Sequence, residues 1–208
     1  MKNTLYSLLI IAITLSCSAF AQFDTTEPCS VWRQADERGT LKVYVRECDD
    51  SPIKEFKIND RFKGDFDKLV KIMDDPATIK ILSERCTEAR DLKELAFNQS
   101  IQYYYFDMPM GVSDRDVVSK LTVWKTTTAY KTLAESVSED LVPLKKDVIR
   151  LQKVRTSFYF EKKDDGTIFM EYTGKTDPNG WIPAWVVNMV ATREARKMVD
   201  KLRYLVQN

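Results

Sequence analysis

The chain has 208 residues, of which 32 are basic and 31 acidic, and it contains no histidine. A nearly neutral chain with no basic block argues against nucleic acid as a partner, because that affinity comes largely from neutralised phosphates. Without histidine the His-based catalytic triads are excluded and the commonest zinc ligand is missing, so we expect no metal and no cofactor.

The first 21 residues have the pattern of a secretory signal peptide. Lys2 is followed by an apolar run over residues 5–15, which is well short of the ~20 residues that span a bilayer. Ala19-Phe20-Ala21 then forms a small-x-small cleavage site. A lipoprotein signal anchored at Cys17 is the alternative. We expect the remaining residues, 22–208, to form one exported domain, either periplasmic or secreted.

Three cysteines follow the signal peptide, and two of them are predicted to form a disulfide bond. Arg38-Gly39 is typical of a two-residue hairpin loop between two strand-like runs. In that register the numbers of paired residues sum to 77, so Cys29 and Cys48 face each other within disulfide reach. Cys86 is left over, and we interpret it as a buried free thiol.

After this hairpin the sequence predicts two short helices within a series of strands. Residues 65–73 carry apolar side chains at helical spacing, with Asp65 as the N-cap, and residues 76–82 form a second short helix. Asp165-Gly166 indicates a hairpin between the last two strands. The predicted strands cover 53–58, 85–95, 101–106, 116–125, 129–137, 148–162 and 167–176.

The final 25 residues predict one long helix, with Pro183 in its first turn. Its second half is amphipathic, whereas Asn188 is the only polar residue between Ile182 and Ala191. We therefore expect the first half to be buried on all sides, between the sheet and either a covering loop or an apolar cavity. Runs of strands with segregated helices indicate an α+β fold in which a sheet curves around one long helix.

Two segments resemble the START (StAR-related lipid transfer) domain. One is GWIPAWVVN at 180–188, at the head of the terminal helix, and the other is PMGVSDRDVV at 109–118, which contains Arg115 and Asp116. The resemblance covers roughly residues 41–206. It implies the helix-grip fold, a curved antiparallel β-sheet gripping a long C-terminal helix around an apolar tunnel for one lipid. We expect Arg115 and Asp116 to fix the start of their strand by surface or half-buried ion pairing, and contact with a ligand is the alternative.

Aromatic and methionine side chains are candidates for the wall of this tunnel, although each can also be ordinary core. The run Tyr103-Tyr104-Tyr105 alternates sides of its strand, so one or two of its rings face inward. The sequence does not identify the inward face of the last hairpin. The predicted cavity residues are Tyr103, Tyr105, Trp124, Phe158, Met170, Tyr172, Trp185 and Met189.

A long connection over residues 136–147 is predicted to act as a lid. It holds Leu141, Val142 and Leu144, and apolar side chains on an exposed loop indicate a lid or a tip that touches a membrane.

We therefore expect a monomer that binds and carries one hydrophobic ligand without catalysis and touches membranes transiently. Each buried methylene contributes ~0.8 kcal/mol, so a chain of about sixteen carbons gains about 12 kcal/mol relative to water. Relative to a bilayer the same chain gains almost nothing, which suits a carrier that must release its ligand. Two alternatives remain, an enzyme on the same fold (a cyclase or hydrolase) and an interaction domain without a cavity.

Overall fold

A computed structural model describes residues 29–109, 111–138, 140–180 and 182–208 of the chain. The predicted signal peptide, its cleavage site and the alternative lipid anchor at Cys17 lie outside these residues. None of the helices within the described residues has the length and the apolar character that crossing a bilayer requires.

The order of strands and helices follows most of the predicted elements. The strands found in the described residues are β1 (Arg33–Arg38), β2 (Leu41–Cys48), β3 (Ser51–Lys63), β4 (Cys86–Ala96), β5 (Gln99–Phe106), β6 (Asp114–Lys125), β7 (Ala129–Ser136), β8 (Val148–Arg150), β9 (Val154–Lys162) and β10 (Thr167–Thr176). The helices are α1 (Phe66–Asp74), α2 (Thr78–Leu82) and α3 (Ala184–Gln207).

All of these strands belong to one sheet. Its neighbours follow the order β1-β2-β3-β10-β9-β7-β6-β5-β4, with every pair antiparallel, while the short β8 pairs in parallel with β6. The sheet is curved, and α3 lies along β3 on its concave side. We call this side the inner face and the opposite side the outer face. The predicted α+β fold, a curved antiparallel sheet with a long C-terminal helix, is confirmed.

The strand predicted over residues 148–162 is interrupted, which corrects the prediction. β8 pairs with β6, whereas β9 pairs with β7 and β10, so the chain changes neighbours between the two strands. The amide of Leu151 donates to the carbonyl oxygen of Asp116 at 2.8 Å and ties this crossing to β6. No glycine or proline marks the break, so residue type alone does not reveal it.

The hairpin of β1 and β2 contains the predicted disulfide bond in a shifted register. Arg38 pairs with Leu41, so the loop lies one residue later than predicted and the paired numbers sum to 79 near the turn. A β-bulge in β1 reduces this sum along the ladder, and a bridge finally joins Cys29 to Cys48, with an S–S distance of 2.07 Å. The pairing is confirmed, although the predicted turn is wrong by one residue.

The third cysteine, Cys86, is free and buried, as predicted. Burial raises the pKa of its thiol to about 11, because the surroundings disfavour the thiolate. Its Sγ lies 3.4 Å from the carbonyl oxygen of Glu88, which accepts its weak hydrogen bond.

The main core lies on the inner face, between β2, β3, β9 and β10 and the helices α1 and α3. Asp65 caps α1 as predicted, because its carboxylate accepts hydrogen bonds from the amides of Asp67 at 2.9 Å and Lys68 at 3.1 Å. The second half of α3 packs onto this core through side chains spaced three or four residues apart. These buried side chains are Ala195, Val199, Leu202 and Val206.

The first half of α3 corrects the prediction that it is buried on all sides. Trp185 is 69% exposed and Met189 57% exposed. This half meets the sheet on one side, where the amide of Lys54 donates to the Asn188 side chain at 2.9 Å. No described segment covers its other side, so an apolar composition does not lead to burial here.

Candidate ligand cavity

A cavity of about 1230 Å³ opens on the inner face, beside the main core. Its wall is formed by one face of β5, β6, β7, β9 and β10, and α2 and α3 border it. Side chains alternate along a strand, so the pairing of Tyr104 with Val117 and of Leu121 with Ala134 places these four residues on the same face. All four line the cavity.

One end of the cavity is aromatic. Phe158 and Tyr172 stack with ring centroids 4.1 Å apart and an interplanar angle of 6°. Tyr130 lies beyond them, and its hydroxyl donates to the carbonyl oxygen of Met73 at 3.1 Å. Burial is the main cause that raises the pKa of both tyrosines above its ordinary value, so both hydroxyls stay protonated. This end offers an apolar surface to a ligand.

Polar groups on the wall are bonded mainly to each other. The Gln102 side-chain amide donates to Asp91 at 2.7 Å, and the Tyr104 hydroxyl donates to the Gln102 side-chain oxygen. Lys125 forms an ion pair with Asp74 near the aromatic end. These contacts join several polar groups of the wall to one another.

Arg115 and Asp116 point to opposite faces of β6. Asp116 lies on the outer face, where it accepts hydrogen bonds from Arg150 Nε at 2.6 Å and from the Tyr103 hydroxyl at 3.1 Å. Arg115 lies on the inner face, lines the cavity and is only 4% exposed. Its guanidinium donates to the backbone carbonyl oxygens of Pro178, at 3.4 Å, and Ser113. The two residues therefore do not pair with each other.

The predicted cavity residues separate into distinct groups in the structure. Phe158 and Tyr172 line the cavity, and Met170 lies in the adjacent core. Trp185 and Met189 lie on the exposed side of α3. Tyr103, Tyr105 and Trp124 lie on the outer face.

Sequence reasoning missed Tyr104, the residue between two of the candidates. It lies on the cavity wall because Phe106 pairs with Arg115, which puts even-numbered residues of β5 on the same face as odd-numbered residues of β6. A one-residue change of register reverses every side chain of a strand. The sequence holds no local signal for this choice, because Ile101, Tyr103 and Val118 form a second buried apolar cluster on the outer face.

The connection that holds the predicted lid residues packs against the outer face. Val142 is buried against Ile101 and Tyr103, while Leu141 and Leu144 are exposed. Lys145, on the same connection, places its Nζ 4.5 Å from the ring centroid of Tyr105. None of the three lid candidates lines the cavity.

A long C-terminal helix against a curved antiparallel sheet, with a large cavity beside it, defines a helix-grip protein. A family model described as the START domain matches residues 25–208. The chain therefore belongs to the START domain family.

Named relatives are similar to most of the chain. START domain-containing protein 10 of Mus musculus is 28% identical over 177 residues, which are 83% of this chain and 56% of that protein, so the chain spans about half of that relative's length. Phosphatidylcholine transfer protein of Bos taurus is 24% identical over 205 residues, or 93% of this chain and 87% of that protein. A crystal structure of the STAR-related lipid transfer protein from Xanthomonas axonopodis matches with a TM-score of 0.72 at 27% identity, covering 85% of this chain and 99% of that chain.

Proposed function

We propose that this protein binds one lipid in the cavity on its inner face and carries it between membranes without chemical change. The observation that carries the proposal is the cavity itself, about 1230 Å³ in volume and aromatic at one end. Relatives named as lipid-transfer proteins support the same activity.

The volume of the cavity suits a lipid with two acyl chains. If a methylene occupies about the space of one water molecule, ~30 Å³, the cavity holds roughly 40 such groups. Two chains of about sixteen carbons and part of a headgroup fit this number. The cavity also exceeds the ~300–1,000 Å³ of sites for drug-sized molecules.

The chemistry of the wall supports carriage more than catalysis. Three of the five carboxylates on the wall are engaged by other side chains, Asp74 by Lys125 and Tyr130, Asp91 by Gln102 and Glu194 by Lys197. The chain has no histidine to act as a general base. Apolar burial gains free energy relative to water and almost none relative to a bilayer, so the ligand can be released at a membrane.

Two further features support a location outside the cytosol and contact with membranes. The Cys29–Cys48 disulfide bond persists in oxidising compartments, which agrees with export to a periplasm or to the outside of the cell. Exposed apolar side chains, namely Trp185, Met189 and Leu144, suit transient contact with a bilayer by a monomer.

The proposal is tested by lipid retention and transfer. The purified protein is incubated with phosphatidylcholine vesicles, separated from them and analysed by native mass spectrometry, and transfer of a fluorescent phosphatidylcholine to acceptor vesicles is then timed. We expect one bound lipid per chain and faster transfer than without protein. A protein that retains no lipid and leaves the transfer rate unchanged would contradict the proposal.

A substitution that fills the cavity gives the matched comparison. Ala134→Trp puts a large ring on the wall, whereas Ala129→Trp puts it on the outer face of the same strand. Overfilling a packed site costs ~1–3 kcal/mol. If lipid binding bears this cost, the affinity for lipid falls roughly five- to 150-fold. We expect this loss of lipid retention for Ala134→Trp alone. Equal retention by the two variants would mean that the ligand lies elsewhere.

A further inference from the structure

Arg115 is a buried cation whose charge has no acidic partner in the described residues. Its two hydrogen bonds go to backbone carbonyl oxygens. Asp116, the next residue, lies across the sheet and pairs with Arg150. Asp114 accepts hydrogen bonds from the Tyr105 hydroxyl at 2.7 Å and from the Met108 amide at 2.9 Å. Burial lowers the pKa of Arg115 more than the charge of Asp114 raises it.

Lys125 and Arg85 are the other cations that line the described cavity. Lys125, at the aromatic end, is neutralised by Asp74. Arg85 lines the cavity at the same end as Arg115, because Cys86, the residue after it, pairs with Phe106, and Phe106 pairs with Arg115. The charge of Lys125 is therefore balanced at the Tyr130 end of the cavity, whereas Arg115 and Arg85 make the opposite end positively charged.

A buried cation without an acidic partner destabilises the protein that holds it, and carbonyl dipoles compensate only part of that cost. A guanidinium has five N–H donors in a planar fork that matches the oxygens of a phosphate or a carboxylate. Two of these donors are used by Pro178 and Ser113, so donors remain for a ligand in the cavity.

We infer that the ligand is an amphiphile whose anionic oxygen group, a phosphate or a carboxylate, binds Arg115, with its apolar chains extending toward Phe158, Tyr172 and Tyr130. This inference rests on the proposed lipid-binding function and adds the chemical class and the orientation of the lipid. The headgroup lies at the Arg115 end, beside Pro178 and the connection to α3.

The test compares three lipids in one vesicle preparation. Vesicles contain phosphatidylcholine, palmitate and diacylglycerol in equal amounts, and lipid retained by the separated protein is quantified by mass spectrometry. We expect Arg115→Gln to retain roughly tenfold less phosphatidylcholine or palmitate than the wild type, as for loss of a charge-assisted contact, and at least as much diacylglycerol, which competes for the same site. Lys120→Gln removes a positive charge from the outer face of the same strand and should behave as the wild type.

Each outcome decides the inference. Unchanged retention of phosphatidylcholine and palmitate by Arg115→Gln, or an equal loss of diacylglycerol while the variant remains folded, would overturn it. If the variant does not fold, the wild type alone decides. The wild type should retain more of the phosphate or carboxylate lipid than of diacylglycerol. Retention of the three lipids in the equal amounts present in the vesicles would overturn the inference. The enriched lipid also shows which anionic group is bound. A wild type that retains none of the three lipids would overturn the proposed function itself.

Discussion

At the scale of single residues, β6 shows how neighbours in sequence acquire separate roles. Asp116 is buried on the outer face and is held by two nitrogens of Arg150, at 2.6 and 3.0 Å, and by the Tyr103 hydroxyl. Arg150 also donates to the carbonyl oxygen of Val142, at 3.2 Å, which attaches the connection over residues 136–147 to the sheet. The carboxylate of Asp116 therefore organises the outer face, while Arg115 belongs to the cavity.

Asp116→Asn should be strongly destabilising, because it leaves Arg150 largely buried beside a neutral side chain. Removing one partner of a buried pair costs ~3–5 kcal/mol. The free energy of unfolding in urea gives this cost. Glu47→Gln is the control, since the ion pairs of Glu47 with Arg33 and Lys54 are exposed and their loss should cost far less. Equal costs for both variants would show that Asp116 has no special structural role.

At the scale of elements, α3 has two halves with different surroundings. The second half is fixed in the main core by Val199 and Leu202, and Arg203 pairs with Asp60 at 3.3 Å. The first half exposes Trp185 and Met189. An apolar helix end beside a cavity is suited to enter a bilayer surface while the rest of the helix stays folded.

Replacing both exposed side chains should separate stability from membrane binding. Trp185→Ser combined with Met189→Ser should change the free energy of unfolding by less than ~1 kcal/mol, because both side chains are mostly exposed. The same double variant should bind phosphatidylcholine vesicles more weakly in a sedimentation assay. Leu202→Ala is the comparison and should cost ~2–5 kcal/mol, since Leu202 is fully buried. A large loss of stability in the double variant would mean that this half of α3 packs against the protein.

The elements show what the sequence could and could not predict. The cap at Asp65 and the limits of β10 follow from local chemistry, namely a short acidic side chain before an apolar helix and Asp165-Gly166 before an alternating strand. The choice between Tyr103 and Tyr104 depends on the register of β5 against β6, which is set by long-range pairing. The exposure of Trp185 depends on which segments are absent around it, and composition contains no such information.

At the scale of the whole molecule, the cavity means that the empty protein lacks part of the packing that a filled interior provides. The main core closes one side of the sheet through α1 and α3, but the region between β5 and β10 faces the cavity. Stability of the whole chain should therefore depend on its lipid load.

Lipid loading should raise the melting temperature. A ligand that binds only the folded state at 100 times its dissociation constant stabilises that state by about 2.7 kcal/mol. Thermal unfolding of protein stripped of lipid, compared with protein reloaded from phosphatidylcholine vesicles, measures this difference. Ala134→Trp should show a smaller difference, because its cavity is partly filled. Identical melting temperatures for the stripped and reloaded wild type would contradict a ligand-supported interior.

The two outermost strands determine how the molecule behaves at high concentration. In the described part of the chain, β1 and β4 each pair with another strand along one side only, and an unpaired strand edge is a template for joining a second sheet. Every residue of β1 is exposed and most are charged or polar, and both strands contain β-bulges. Charge and irregular backbone spacing prevent edge-to-edge aggregation. We therefore expect the chain to reach high concentration without joining other copies through the edges of its sheet.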